Sequence, residues 1–493
     1  MDFLNNLLLG FEVAFSLQNI LFCSLGVVVG TIVGVLPGIG PAAAISILLP
    51  YSFYFGDQAT SLIFLAGIFY GTQYGGSTSS ILLNIPGEAA SIVTTIDGHA
   101  LAKQGKAGVA LSIAAIGSFI AGTFAALLIA LIAVPLSWFS VKFGPVEFTS
   151  LLLFGFISSA YLTGKEDPIK TLSMILLGIL LATVGVDLNS GVERYTLGID
   201  NLYDGIPFPI IAISFFGLSD ILYDFIKNKH SYIEYKIKNL YPTKNNLKES
   251  MPAIIRGTLL GSLFGILPGI GSSLASFITY SIEKHFSNKN DTFGKGDIRG
   301  VAAPESANNA ASQTGFIPLL GLGIPGSPVM ALMAGALMIQ GIVPGPTVIT
   351  EYPNIFWGLI VSMWLGNVIL LVLNFPLVRI WVYILKIPKA YLYTIVTALA
   401  ITGSFFLKND IFFVLMLLPL TGLALLLRLN GYNIILIALG FVMGKVFEEN
   451  FVRALVVSAG DWTAFLTSNI SLTLLVCSCI IIIATSIKKV RNG

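Results

Sequence analysis

"GVVVGTIVGVLPGIG" at residues 26–40 and "GTLLGSLFGILPGIG" at residues 257–271 agree at eight of fifteen positions. Glycines at 26, 30 and 34, and again at 257, 261 and 265, lay a small-xxx-small stripe along one helix face, where a neighbouring backbone can come close. Pro37 and Pro268 then remove a backbone donor, while Gly38, Gly40, Gly269 and Gly271 permit a sharp turn. Each helix therefore stops at LPGIG and the chain doubles back. A second anchor follows in each half: "LLNIPGE" (82–88, with Pro86 and Gly87) and "GLGIPGS" (321–327, with Pro325 and Gly326). The first anchors lie 231 residues apart and the second 239, so the chain reads as two related halves differing by an eight-residue insertion.

These breaks sit in oily surroundings. Of 493 residues, 55% are hydrophobic and 11% charged, against about 25% charged in an ordinary soluble domain. Residues 107–135 run for 29 positions without a charge, beyond the roughly 20 a helix needs to cross a bilayer. The composition excludes a water-soluble protein and predicts an all-α polytopic membrane protein with about 10–12 spans. The return arm of the second hairpin, residues 272–282, has only 11 residues before Glu283 and Lys284. It predicts a re-entrant arm too short to cross.

Charge placement predicts the topology. Residues 227–248 hold six lysines and the tail "KKVRNG" three more basic residues, which the positive-inside rule puts in the cytoplasm. Residues 1–226 are then the first membrane repeat, 227–250 a cytoplasmic basic linker, and 251–493 the second repeat with C-terminal helices. No Lys or Arg precedes Lys103, so no cleaved signal is expected. An outside N-terminus and an inside linker need an odd number of spans, which would invert the second repeat as in many secondary transporters. A parallel duplication is the alternative.

Broken helices persist at membrane depth only where protein or an aqueous cavity satisfies the freed backbone groups. Two polar runs, "YGTQYGGSTSS" (70–80) and "ESANNAASQTG" (305–315), lie in corresponding places beside the breaks. Helix ends there would aim free N–H groups at an anion. The expected substrate-binding residues are Gly75, Gly76, Ser77, Thr78, Ser79, Ser80 and Asn84 in the first half. In the second they are Asn308, Asn309, Ser312, Gln313 and Thr314. Packing is the plain alternative for the hydroxyl residues. Glu88, Asp97 and Glu305 are ion-coupling candidates, since an acid inside a membrane bundle marks a proton or cation site; at a loop end the same acids would be merely solvated.

Other features carry less. Arg194 beside Asp187 and Glu193 reads as a loop pair, and Cys23, Cys477 and Cys479 as small core hydrophobes without metal-ligand spacing. His occurs at 99, 230 and 285 with no HExxH, GxSxG or CxxC, and no GxxxxGK[ST] loop is present. No motif argues for ATP hydrolysis by this chain, so transport must draw on an ion gradient or on another subunit, and no catalytic residue or metal ligand is assigned. A membrane hydrolase using Ser77 or Ser79 with His99 is a remote reading. A passive anion channel is the main rival to transport.

Several stretches, "GVLPGIGPAAAISILLPYSF", "YGTQYGGSTSSILLNIPGEAASIVTTIDGHALAKQGKAGVAL", "PESANNAASQTGFIPLLGLGIPGSP" and "GFVMGKVFEENFVRALVVSAGDW", run in order along the chain. Together with the LPGIG pair they closely resemble the large membrane permease subunit of the tripartite tricarboxylate transporter family, from about residue 20 to 470. The resemblance implies a multi-pass bacterial inner-membrane permease that takes up citrate-like or related carboxylates. It implies a periplasmic solute-binding protein and a small membrane subunit as partners, and no nucleic acid. It implies a proton or sodium gradient as driving force and no cofactor beyond that coupling cation. A substrate or ion role carries over to Gly75–Ser80 and Asn308–Gly315.

Overall fold

The structure, a computed structural model, describes residues 3–36, 40–84, 86–140, 144–162, 168–187, 191–227, 240–267, 271–286, 292–384 and 389–492. Pro37, Gly38, Pro268, Gly269 and the linker residues 228–239 lie outside the described residues. The fold is all-α. Among the described residues the strands are β1 (Gly185–Val186) and β2 (Glu193–Arg194), an antiparallel ribbon pairing Gly185 with Arg194.

Eleven helices position the centre of the molecule. In the first half these are α1 (Leu17–Val35), α2 (Pro41–Ser52), α3 (Gln58–Leu83), α4 (Thr94–Lys103), α5 (Ala107–Ser140) and α6 (Pro168–Ala182). In the second they are α7 (Lys244–Ile266), α8 (Gly271–Phe286), α9 (Arg299–Thr314), α10 (Pro353–Asn374) and α11 (Ile435–Val457). Five stretches are long and apolar enough to cross a membrane among the described residues: Leu17–Val35, Ala107–Ile132, Phe208–Ile226, Pro353–Asn374 and Ile411–Leu429. Shorter apolar helices surround them.

Helices end at Val35 and Ile266, just before each LPGIG, and new helices begin at Pro41 and Gly271. α2 has 12 residues and α8 has 16, so at 1.5 Å per residue they reach about 18 and 24 Å, short of a roughly 30 Å hydrocarbon core. α8 runs past the expected stop at Glu283 because that side chain does not need water. Arg256 of α7 donates from Nε at 2.7 Å and from Nη2 at 2.6 Å to its two oxygens.

The glycine stripes do what their spacing implies. A Cβ built on Gly26, Gly30 or Gly34 would stand 2.4, 2.2 or 2.4 Å from the carbonyl oxygens of Phe64, Ile68 and Thr72 on α3. In the second half Gly257 and Gly261 would each stand 2.4 Å from the carbonyl oxygens of Ala303 and Ala307 on α9. Each striped helix thus lies backbone against backbone on the polar helix of its own half, which only glycine allows.

α3 and α9 are polar yet occupy the interior. Every residue from Ala59 to Leu82 and from Gly300 to Thr314 is buried, because polar groups at membrane depth must face protein. Farther out, the halves interlock where α6 crosses α11: a Cβ on Gly178 would meet the Ile437 carbonyl oxygen at 2.2 Å, and one on Gly440 the Ile175 carbonyl oxygen at 2.0 Å.

Two expectations are corrected here. Cys23 is buried, but Cys477 and Cys479 are exposed on the last helix (Asn469–Asn492), whose Val476, Ile480 and Ile483 also face outward. That helix packs along the periphery with Ser471 and Ser478 turned inward, and the two cysteines lie on its outer face. Arg194 pairs mainly with Glu448 of α11 at 2.6 Å, with Asp187 farther off at 3.8 Å, since the ribbon folds back over the middle of α11.

Candidate functional site

The polar runs meet where α3 faces α9, with α4, α5 and α10 closing the sides. They were expected beside helix breaks with free backbone donors. Instead α3 continues without interruption through residues 70–80 to Leu83, so its amides are engaged within the helix and its side chains supply the chemistry. The break follows immediately. Asn84 adopts the left-handed conformation at φ 58°, which Asn tolerates better than most residues, and turns the chain out of α3.

That turn returns Glu88 to the centre. Its approach needs two glycines: a Cβ on Gly87 would lie 2.0 Å from the Gly34 carbonyl oxygen, and one on Gly76 would lie 2.9 Å from Glu88 Cγ. Glu88 then caps the short 3-10 turn Ala89–Ile92, and its Oε1 accepts from Asn308 Nδ2 at 2.8 Å. The second anchor ends alike, with Ser327 Oγ accepting from Met330 N to cap helix Pro328–Ile339. Both IPG turns therefore hand the chain to a capping side chain.

Glu305 lies one turn before Asn309 on α9 and has no exposed surface. Ser77 Oγ donates to its Oε2 at 2.5 Å, and Thr94 Oγ1 of α4 donates to Oε1. Asn309 Nδ2 donates to Ser118 Oγ of α5 at 2.7 Å and to the Glu305 carbonyl at 3.1 Å. Gln313 Nε2 donates to Asn367 Oδ1 of α10 at 3.1 Å, and the Tyr74 hydroxyl donates to the same oxygen at 3.5 Å. None of the described ion pairs engages Glu88 or Glu305.

The remaining residues fall into distinct surroundings. Ser79 Oγ donates to the carbonyls of Gly76 and Gly34, at 3.1 and 3.4 Å, and Gly75 stacks on α1 with its missing Cβ 2.4 Å from the Thr31 carbonyl oxygen. Thr314 Oγ1 donates to Ala310, and Ser312 Oγ to Asn308 Oδ1 at 3.5 Å. Ser80 Oγ, Gln73 Oε1 and Gln313 Oε1 are buried without a hydrogen-bond partner. Ser77 and Thr78 line a closed cavity of about 10 Å³ with Tyr74, Ser118, Asn374 and three apolar side chains, which is room for about one water.

Asp97 sits apart from this network. Its Oδ1 accepts from the backbone N–H groups of Gly294, Gly296 and Asp297 at 2.8, 2.8 and 2.9 Å, and Oδ2 accepts from the Tyr280 hydroxyl at 2.8 Å. It ties α4 to the loop entering α9. His99 Nδ1 hydrogen-bonds the Ile81 carbonyl at 3.1 Å, while Ser77 and Ser79 donate to Glu305 and to backbone carbonyls.

Sequence reasoning missed Thr94, Ser118, Asn367 and Asn374. One signal was available: Asn367 and Asn374 stand seven apart in an otherwise apolar 22-residue helix, hence on one face two turns apart. The arrangement offers hydroxyl and amide groups able to bind a carboxylate, beside two carboxyl groups able to hold a proton or cation.

The family model of the tripartite tricarboxylate transporter TctA family matches residues 20–439. The chain belongs to this family. Among the relatives of this TctA-family chain, an uncharacterized 52.8 kDa protein of the TAR-I ttuC' 3' region of Agrobacterium vitis is 46% identical over 493 residues, covering 100% of this chain and 98% of that protein. An uncharacterized protein of the TAR-II ttuC' 3' region of the same organism is 47% identical over 232 residues, covering 47% of this chain and 96% of its own length. No solved structure matches the chain.

Proposed function

We propose that this TctA-family protein is the large permease subunit of a tripartite, binding-protein-dependent secondary transporter that takes up organic carboxylates across the bacterial inner membrane. One observation carries the reading: polar runs from two sequence-related halves converge on one buried site, joined by the Ser77–Glu305 and Asn308–Glu88 bonds. A site at the junction of two repeats is where secondary transporters bind their substrates. Ser77, Thr78, Asn308, Asn309 and Gln313 bind the substrate carboxylates when the site opens. Glu88 and Glu305 serve coupling, whereas Asp97 acts as a structural tie.

The partners are a periplasmic solute-binding protein and a small membrane subunit, and the energy comes from a cation gradient. Proteoliposomes carrying both membrane subunits test this. Concentrative uptake of labelled citrate, or of another di- or tricarboxylate, should require the binding protein and a gradient, and Asn308→Ala should abolish it. Flux without either requirement would make the protein a channel and end this reading.

A further inference from the structure

We propose that Glu305 carries the coupling ion and that this ion is a proton, reaching its carboxyl through the Ser77 hydroxyl from the closed cavity on the far side of Ser77. The inference rests on the secondary-transport reading and names the ion and the atoms.

The first support is geometric. Both oxygens of Glu305 are directly hydrogen-bonded to hydroxyl groups, Ser77 at 2.5 Å and Thr94 on the other side. Hydroxyl groups donating directly to both carboxylate oxygens are the geometry along which a proton moves.

The second support is independent. Ser77 also lines the 10 Å³ cavity, and so does Asn374, whose Oδ1 is buried with no hydrogen-bond partner. A buried orphan acceptor beside hydroxyl groups in a space of one water's size is the setting in which an ordered water binds. With a water there, the transfer balances. The water gives a proton to Ser77 Oγ as Ser77 gives its own to Glu305 Oε2. Ser77 ends as an intact hydroxyl, Glu305 ends neutral, and the hydroxide left in the cavity takes up a proton when the site opens to solution.

The surroundings leave Glu305 without a competing counter-charge. Of the elements packed on α9, α5 contributes no titratable side chain and the 84–92 turn contributes Glu88, bonded to Asn308. α3 contributes Tyr74, whose hydroxyl donates to Asn367, and Tyr70, a neutral phenol. On α4, Asp97 is occupied by three backbone amides and Tyr280 of α8, and His99 bonds the Ile81 carbonyl. Arg256 of α7 is held by Glu283 of α8.

The test uses the complete complex in proteoliposomes with the membrane potential clamped. An inward proton gradient without sodium should drive accumulation in the wild type, and a lumenal pH dye should report acidification on substrate addition. Glu305→Gln, which keeps shape and an acceptor for Ser77, should lower gradient-driven accumulation at least tenfold while preserving binding-protein-dependent counterflow at equal pH. Ser77→Ala, which removes a substrate-binding hydroxyl as well as the proton relay, should lower the proton-driven rate several-fold more than it lowers counterflow; equal loss of both would overturn the route through Ser77. Accumulation by Glu305→Gln at the wild-type level, absence of acidification in the wild type, or accumulation driven by a sodium gradient alone would each overturn the proton assignment and leave transport standing. Absence of binding-protein-dependent counterflow in the wild type would instead remove the transport reading, and this inference with it.

Discussion

Gly30→Ala probes the contact on which the site is mounted. The new methyl would stand 2.2 Å from the Ile68 carbonyl oxygen and 2.8 Å from the Ile68 Cα and carbonyl carbon. These are backbone atoms of a buried helix, so no side chain can swing aside. An ordinary carbon–oxygen contact is about 3.3 Å, and α1 and α3 must therefore part by about 1 Å. Overpacking of this kind costs about 1–3 kcal/mol. Gly422→Ala is the matched control: no heavy atom lies within 4 Å of its Cβ position, and it should gain up to about 1 kcal/mol of helix propensity. The two variants should differ by about 2–4 kcal/mol in unfolding free energy, measured in mild detergent by denaturant titration with circular dichroism. Gly67→Ala, whose nearest atom is at 3.2 Å, should fall between them. Gly30→Ala combined with Gly71→Ala should cost less than the sum, since both open the same interface. Equal stability of Gly30→Ala and Gly422→Ala, within about 0.5 kcal/mol, would refute the close-packed reading of the stripe.

Further outcomes follow from single contacts. Asp97→Ala removes the acceptor of three backbone N–H groups, of which that of Asp297 is buried, and should destabilise by about 1–3 kcal/mol, whereas Asp97→Asn keeps one acceptor and should cost less in the same titration. Arg256→Ala strands Glu283, whose side chain is 3% exposed; because Arg256 itself is 45% exposed, the loss should be about 1–3 kcal/mol. Arg256→Lys should not restore it, since an ammonium cannot reproduce the two-pronged contact. Asn84→Gly should be tolerated, while Asn84→Val should cost about 1–2 kcal/mol for the left-handed backbone and reduce uptake by displacing Glu88. Arg194→Ala removes a half-exposed pair and should change stability by less than about 1 kcal/mol.

What the sequence disclosed, and what it hid, follows from the range of each interaction. The helix ends at Val35 and Ile266 and the close packing of the glycine stripes were legible because Pro, Gly and the four-residue stripe act within a few positions of themselves, and because the pattern occurs twice. Burial of the polar runs was legible too, since hydroxyls and amides in an oily chain have few other places to go. The engagement of the backbone amides of residues 70–80 within α3 was not, because a polar run next to a Pro/Gly anchor reads equally as helix or as exposed backbone. Of the adjacent glycines in that run, Gly75 serves α1 and Gly76 admits Glu88. Asp97 resembled a coupling acid because its partners are backbone amides near residue 295, and amides leave no signature in composition. Thr94 and Ser118 are single polar residues whose meaning comes only from Glu305 and Asn309 across the bundle.

The crossing of Gly178 and Gly440 bears on biogenesis. Each bare backbone seats the other's carbonyl, so α6 leaves the ribosome with a groove that stays empty until almost the whole polypeptide has been inserted. The N-terminal half cannot finish maturing by itself. Truncation before α11 would leave an unfilled seam in the lipid, and quality-control proteases would find it there.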